Sequence, residues 1–402
     1  MKTSILLLLA VITFASIAVA QDKKDKIEIG AVATSLSLFH PDFPFDDTQG
    51  GFGGRFTYNF TPWIAADAEV NFFPQKQFIL TANGSATQVQ AGVKIGKRFD
   101  KAGIFAKVRP GFLSVNSFGN FVAGPNNVAV FNIDREQFFS LDYGGVLELY
   151  PSKRMVVRFD AGDTMVRHPA QFGPISIFDP SIELKRAAKF KHNFQFSFGV
   201  GFRLGDYPDA ETTAGASGGA QERTPRFEVG VVFTELFVKP PSLNFSVSIP
   251  RIHAEPGFGG RFSYNLTDYL AFEAEGNYFT RQMGFPDGGH MFQGQFGAKI
   301  GKRFDRVGVF GKARPGFVGF TEVFAFPFGG QLPAVLPTET KYYPSFDAGG
   351  VVEFYISPRW MARFDAGDTL IRYGDLNING FVFRPHETVH NLQLSSGIGF
   401  RF

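Results

Sequence analysis

The 402-residue chain contains no cysteine, which excludes a disulfide scaffold, thiolate zinc sites, a thiol nucleophile and a lipid anchor carried on cysteine. No charge dominates either. Forty Lys and Arg face 37 Asp and Glu, a net +3, so the one-signed field of a nucleic-acid or polyanion binder is absent and no nucleic acid is expected as a partner. Charged residues are only 19% against 44% hydrophobic, which excludes wholesale disorder. After residue 20 no uninterrupted apolar run reaches about 18 residues, so no spanning helix is expected. Phosphate loops are missing too, because Gly96-Lys97 and Gly301-Lys302 stand without GxxxxGK[ST]. The excess lies in Gly (46) and Phe (51), together about a quarter of the chain against a background of about 7% for Gly alone. Rich in Phe yet average in total hydrophobicity, the composition fits a sheet whose two faces meet different solvents.

Residues 1–20 have the plan of a cleaved secretory signal. Lys2 gives the positive start, Ile5 to Phe14 the apolar core, and Ala18-Val19-Ala20 the small-residue cleavage site. A protein exported without a helical or lipid anchor is either soluble or crosses a membrane as a closed barrel.

The remainder is a tandem duplication. Gly51-Phe52-Gly53-Gly54-Arg55-Phe56 recurs at 257–262, KIGKRFD at 94–100 recurs at 299–305, RPGF at 109–112 recurs at 314–317, and FDAGDT at 159–164 recurs at 364–369. Such a repeat length is that of a domain rather than a solenoid unit. Between the copies, 205–225 is a Gly/Ala/Ser/Thr stretch that reads as a flexible linker. The expected domains are therefore 26–204 and 226–402.

Within each copy apolar and polar residues alternate at period two, the strand signature. Ile64, Ala66, Ala68, Val70 and Phe72 oppose Asp67, Glu69 and Asn71; in the second copy Leu270, Phe272, Ala274, Gly276 and Tyr278 oppose Glu273, Glu275 and Asn277. The first copy resolves into expected strands near 26–34, 51–60, 63–72, 87–99, 103–113, 138–150, 154–165 and 191–203. Segments of about 9–11 residues suffice to cross a bilayer at barrel tilt. The connections alternate long and short. Short ones are expected at 61–62, 100–103 and 151–153, long ones at 35–50, 73–86, 114–137 and 166–190. Short turns at one end and long loops at the other are the plan of an outer-membrane barrel.

The last segment alternates Leu392, Leu394, Ile398, Phe400 and Phe402 against Gln393, Ser395, Gly397, Gly399 and Arg401. On these patterns the chain resembles two copies of the eight-stranded outer-membrane β-barrel family, the OmpA-type transmembrane or opacity-protein-like barrel. The resemblance implies an all-β fold of two tandem up-and-down barrels, with one sixteen-stranded barrel as the alternative. A porin of that size would need a tight turn where the linker stands. The resemblance also implies residence in the cell outer membrane, contact with its lipid and lipopolysaccharide, and a C-terminal signal at Phe400 and Phe402 read by the barrel assembly machinery. Tandem duplication departs from the usual member, and no C-terminal peptidoglycan-binding domain is expected after the last segment.

The face opposite the apolar one carries charges at matched positions. In the first copy these are Glu28, Asp67, Glu69, Asp142, Glu148 and Asp160 with Arg55, Lys94, Arg98, Lys107, Arg109, Arg154 and Arg158. The second copy repeats them as Glu228, Glu273, Glu275, Asp347, Glu353 and Asp365 with Arg261, Lys299, Arg303, Lys312, Arg314, Arg359 and Arg363. Near-neutral balance suits a packed lumen, because an unpaired buried charge is costly. Eight strands enclose only enough space for side chains. The expected lumen is thus a polar plug, with a narrow ion or solute pathway as the alternative.

Enzyme chemistry ranks third. The histidines are His40, His168, His192, His253, His290, His386 and His390; His386 and His390 stand four apart with Glu387 between them, but at a strand entrance that spacing does not make the helical metal face that HExxH needs. His168 with Asp163, and His386 or His390 with Asp368, are the pairs a rim enzyme would use, but the copies are expected to place His differently and no repeated Ser accompanies them. No catalytic group, metal or cofactor is therefore expected. The long loops are rich in aromatics, Phe39, Phe43 and Phe45 in one and Phe324, Phe326 and Phe328 in another. Loops on a rigid scaffold carry binding diversity, so the expected role is structural, or surface interaction with a ligand the sequence leaves open.

Overall fold

Segments in which Val, Ile, Phe and Tyr alternate with small or polar residues suit the pleated, half-buried strand. In the computed structural model, strand is the only regular structure among the described residues. Those are 27–39, 46–74, 85–123, 129–174, 183–204, 225–239, 253–279, 290–324, 338–378, 381–384 and 386–402. The expected leader at 1–20 and nearly all of the expected linker at 205–225 lie outside them.

The first copy forms β1 (Ile27–Phe39), β2 (Asp46–Asn59), β3 (Ile64–Phe73), β4 (Ala86–Arg98), β5 (Ala102–Ala123), β6 (Ala129–Ser152), β7 (Met155–His168) and β8 (Phe194–Leu204). Every neighbouring pair is antiparallel, and β8 returns to β1 with Ile27 opposite Leu204. The second copy forms β9 (Phe227–Val238), β10 (His253–Asn265), β11 (Leu270–Phe279), β12 (Met291–Arg303), β13 (Val307–Phe324), β14 (Thr338–Tyr355), β15 (Trp360–Tyr373) and β16 (Glu387–Arg401). It too closes, with Glu228 of β9 opposite Arg401 of β16. Each copy's last strand bonds its own first strand, so the alternative of one sixteen-stranded barrel is excluded.

The short turns are built alike in both copies. Thr61 Oγ1 accepts the N–H groups of Trp63 and Ile64 at 3.1 and 3.0 Å, and Thr267 Oγ1 does the same for Tyr269 and Leu270 at 3.2 and 3.0 Å. A hydroxyl three residues before the strand thus satisfies donors the ladder cannot reach. At the other end the strands overrun the expected loops. β5 and β6 have 22 and 24 residues, and their pairing runs out to Ala123 opposite Ala129, through most of the expected loop 114–137. That is about twice what a bilayer crossing requires, so this hairpin stands above the membrane surface. Lesser extensions carry β1 to Phe39 and β2 back to Asp46.

Many outward positions are apolar and uncovered. Phe52, Ile104, Phe202 and Phe296 are each more than half exposed. Aromatics gather at the short-turn end, including Phe60, Trp63, Phe99, Tyr269, Phe304 and Trp360. A lipid-facing band bordered by aromatic residues is the exterior of a membrane barrel. Inside, strands approach closely: a Cβ at Gly92 would lie 2.0 Å from the Val108 carbonyl oxygen, and one at Gly144 2.2 Å from that of Ala161.

Candidate functional site

The lumen of each barrel is the natural place to look, because alternation turns every second side chain inward. From the short-turn end the first layer is aromatic and ionic. In the first barrel Lys94 pairs with Glu148 and lies 3.7 Å from Glu28, while Arg98 bonds Glu28 at 3.1 Å and Asn59 at 2.6 Å. Tyr150 donates to Glu148 at 2.8 Å, and Arg203 stacks 3.6 Å over the Tyr150 ring. In the second barrel Lys299 joins Glu228 (3.1 Å) and Glu353, Arg303 bonds Asn265 at 2.6 Å, and Arg401 covers Tyr355.

Above it lies a dense ion network. Arg109 reaches Asp67 at 3.0 Å, Glu69 at 2.9 Å and Asp142 at 2.7 Å. Arg158 forks onto Asp67 at 2.7 and 2.9 Å and holds Asp160 at 2.6 Å; Arg55 ties Glu69 to Asp160, and Lys107 adds 2.8 Å to Asp142. The second barrel repeats the pattern: Arg314 to Glu275 and Asp347 at 2.7 Å each, Arg363 to Glu273 and Asp365, Arg261 to Glu275 and Asp365, Lys312 to Asp347 at 2.8 Å. Arg109 and Arg314 are both 0% exposed. Such bidentate, charge-assisted pairing is what allows charges to remain in a dry interior.

A third layer is made of amides and hydroxyls. Asn71 bonds Gln88, Gln88 bonds Gln195, and Thr34, Thr164 and Ser197 complete the chain; Asn277, Gln293, Gln393, Thr234 and Thr369 repeat it. Beyond that, toward the loops, the inward side chains become apolar. Leu36, Phe73, Ala86, Leu113 and Val166 form one buried cluster in the first barrel. Leu236, Val238, Phe279, Met291, Val318, Phe320, Ile371, Tyr373 and Val389 form its larger counterpart in the second.

Some sequence expectations are corrected here. Arg154 and Arg359 are exposed at the short turns rather than inside, because each falls before its strand begins. Their place in the lumen is taken by Arg203 and Arg401, which form ion pairs with Glu28 and Glu228 at 3.4 and 3.5 Å. The apolar stopper also goes unseen in the sequence, where Phe73, Leu113 and Val166 sit at the frayed ends of the alternating segments.

Comparison with known proteins bears on what such a molecule is. Residues 5–206, half of the chain, match the outer membrane protein beta-barrel domain family. The chain belongs to this family. Among solved structures it is similar to the N-terminal β-barrel domain of Pseudomonas aeruginosa OprF, with 13% identity over 45% of this chain and 100% of that one, TM-score 0.27. It is similar also to Yersinia pestis Ail, the attachment invasion locus protein, solved with the heparin analogue sucrose octasulfate (14% identity, 45% and 99% of the two chains, TM-score 0.28). Neisserial surface protein A gives 16% identity over 44% and 97%, TM-score 0.28. No curated protein matches the sequence.

At the loop-side rim of this outer-membrane barrel the structure joins a pair that the sequence reading mismatched. Asp163 holds His192, not His168, whose ring lies against Phe138. Asp368 holds His390 at 2.5 Å. In each case the second carboxylate oxygen accepts the next backbone N–H, from Asn193 at 2.9 Å and Asn391 at 3.1 Å. His192, two residues before β8, and His390, in β16, thus hold equivalent partners, Asp163 and Asp368, which corrects the expectation that the copies position His differently. The pairing depends on register across two strands, which the chain order hides. His386 sits instead beside Asp375 at 3.4 Å. Both imidazoles of the matched pairs are outward and largely exposed. Among the described residues no three His, Asp or Glu gather as metal ligands. His40, Phe43, Phe45, Phe326 and Phe328 lie outside the described residues, and the side chains of Phe39 and Phe324 are likewise not described.

Proposed function

We propose that the chain is a structural protein of the outer membrane whose two closed barrels anchor a surface of loops, and that neither lumen conducts. The observation that carries this reading is the succession of layers inside each ring. A solute entering from the loops meets apolar side chains, then bonded amides, then arginines that are 0% exposed. Moving those arginines would separate several buried charge pairs together, which is costly. The alternative of a narrow channel therefore has the packing against it.

In this reading residues 1–20 direct export, 205–225 is a periplasmic linker, and the apolar bands contact membrane lipid, with lipopolysaccharide in the outer leaflet. Phe402 directly follows the last strand, its backbone exchanging hydrogen bonds of 2.9 Å with Phe227, and Phe400 packs on Trp360; we take this segment as the signal for the assembly machinery. This reading assigns the protein no cofactor and no catalytic step; the rim imidazoles of His192 and His390 are held by Asp163 and Asp368 on the outward face. Activity then belongs to the loops. Replacing residues 75–84 and 280–289 with short Gly-Ser turns should leave both barrels folded and reduce binding of the purified protein to arrays of glycans and surface proteins. Undiminished binding would contradict a loop-borne role.

A further inference from the structure

The outward faces are not uniformly open to lipid. On one side of each barrel, residues whose counterparts elsewhere face the bilayer are buried. Leu149 and Val157 of the first barrel form one cluster with Phe354, Ile356 and Ala362 of the second. Val157 and Ala362 are 0% exposed, whereas Ile104 and Val309, outward on β5 and β13, are 61% and 50% exposed. Phe159 stacks on Phe364 with centroids 6.1 Å apart and planes 9° from parallel, Phe198 lies 5.5 Å from Phe364, and Phe196 lies 3.9 Å from Phe233.

Several independent contacts give this face a fixed orientation. At the short-turn end Arg306 of the second barrel donates to the Pro151 carbonyl of the first at 2.5 Å. Toward the loop end Gly50 of β2 fits against Phe237 and Glu235 of β9, and a Cβ there would come within 2.3 Å of the Phe237 ring. Turn end thus meets turn end and loop end meets loop end, as one shared bilayer demands. Equivalent positions in the two copies also meet each other: Phe159 with Phe364, and Leu149 and Val157 in one cluster with Phe354 and Ala362. That is the geometry of a two-fold, isologous contact between like partners.

The chemistry of β9 fits the same conclusion. Glu235 points outward, on the side of the strand that elsewhere meets lipid, yet it is 2% exposed, and the Ser35 hydroxyl of the other barrel is a hydrogen-bonding partner of its carboxylate. A carboxylate on an open lipid-facing surface is unfavourable, and at the equivalent place in the first barrel stands Ser35 itself. At this position the sequence therefore carries, in the second copy and not in the first, a carboxylate that requires cover and finds it in the other barrel. Within a membrane, close packing and such polar contacts are what bring spanning elements together.

We propose that the two barrels form a fixed, lipid-excluding pair, each the other's partner across the face built from β1, β2, β6, β7 and β8 and their counterparts. The pair presents both sets of loops on one side as a single two-part surface. This stands on the two-barrel fold and does not depend on what the loops bind.

The absence of cysteine makes the test direct. A protease site placed within 205–225 allows the full-length protein to be cut after it has folded in bilayers of outer-membrane lipid. The pair Phe159→Cys/Phe364→Cys is treated with a short bis-maleimide, and Ile104→Cys/Val309→Cys serves as the remote control, with folding of each variant checked by its heat-modifiable gel mobility. The expected result is that cut halves co-purify on a tag carried by one of them and that the seam pair cross-links at least tenfold faster than the control, before and after cutting. A milder variant, Glu235→Lys with native residues at 159 and 364, should shift cut halves toward separation. Halves that separate on cutting, or seam cross-linking no faster than the control, would overturn the proposal.

Discussion

At Arg109 three carboxylates converge on one guanidinium, and its removal would leave Asp67, Glu69 and Asp142 short of a partner in a dry interior. Breaking such a buried arrangement from one side costs about 3–5 kcal/mol. Arg109→Met and, in the second barrel, Arg314→Met should each lose about that much in urea unfolding from lipid bilayers, and a change within about 0.5 kcal/mol would mean the network does not stabilise the lumen. The stopper makes a separate prediction. Phe73 and Phe279 are 0% exposed, so Phe73→Ala or Phe279→Ala should destabilise by about 3–5 kcal/mol in the same assay. Neither should open a pore, because the ion network lies beneath. The inward charges could be found in the sequence because strict alternation sets them apart from Ile, Val and Phe on the opposite face. Phe73, Leu113 and Val166 could not, since an inward apolar residue at a strand end looks the same as an outward one shifted by one place. The Asp163–His192 and Asp368–His390 pairs depend on which residues two neighbouring strands bring side by side, and spacing along the chain does not contain that.

At the level of the element, the turns and the terminal strand were the clearest features of the sequence, because Thr-Pro, Thr-Asp and Ser-Pro punctuate the alternation. The long hairpin of β5 and β6 was less so: Asn and Gly near its tip weaken the period although the backbone pairs out to Ala123 and Ala129. Thr61→Ala combined with Thr267→Ala removes a hydroxyl that accepts two N–H groups in each copy. These turns are exposed, so the expected loss is small, about 0.5–1.5 kcal/mol per turn, read from the same unfolding curves. Phe402 separates two roles. Its ring stacks 5.8 Å from Phe227 on the barrel exterior, so Phe402→Ser should refold normally in detergent while its assembled fraction in cells falls severalfold, as measured by surface protease protection. Equal loss in both settings would assign Phe402 to stability rather than to assembly.

At the scale of the whole molecule, a duplication that keeps its registers has produced two rings instead of a wider one. Each ring is sealed by β1 on β8 or β9 on β16, and the eight-stranded circumference leaves only a side-chain interior. The sequence indicated this through the stretch 205–225, expected as a linker and too long for a porin hairpin, but the contacts between the rings depend on surface fit and carry no local signature apart from Glu235. The central claim is that both lumens are closed by packing. Single-channel recording of the mature, folded protein in planar bilayers tests it most directly. Flat baselines without stable conductance steps, in wild type and in Phe73→Ala alike, are the predicted result; reproducible nanosiemens steps from the wild-type protein would contradict it.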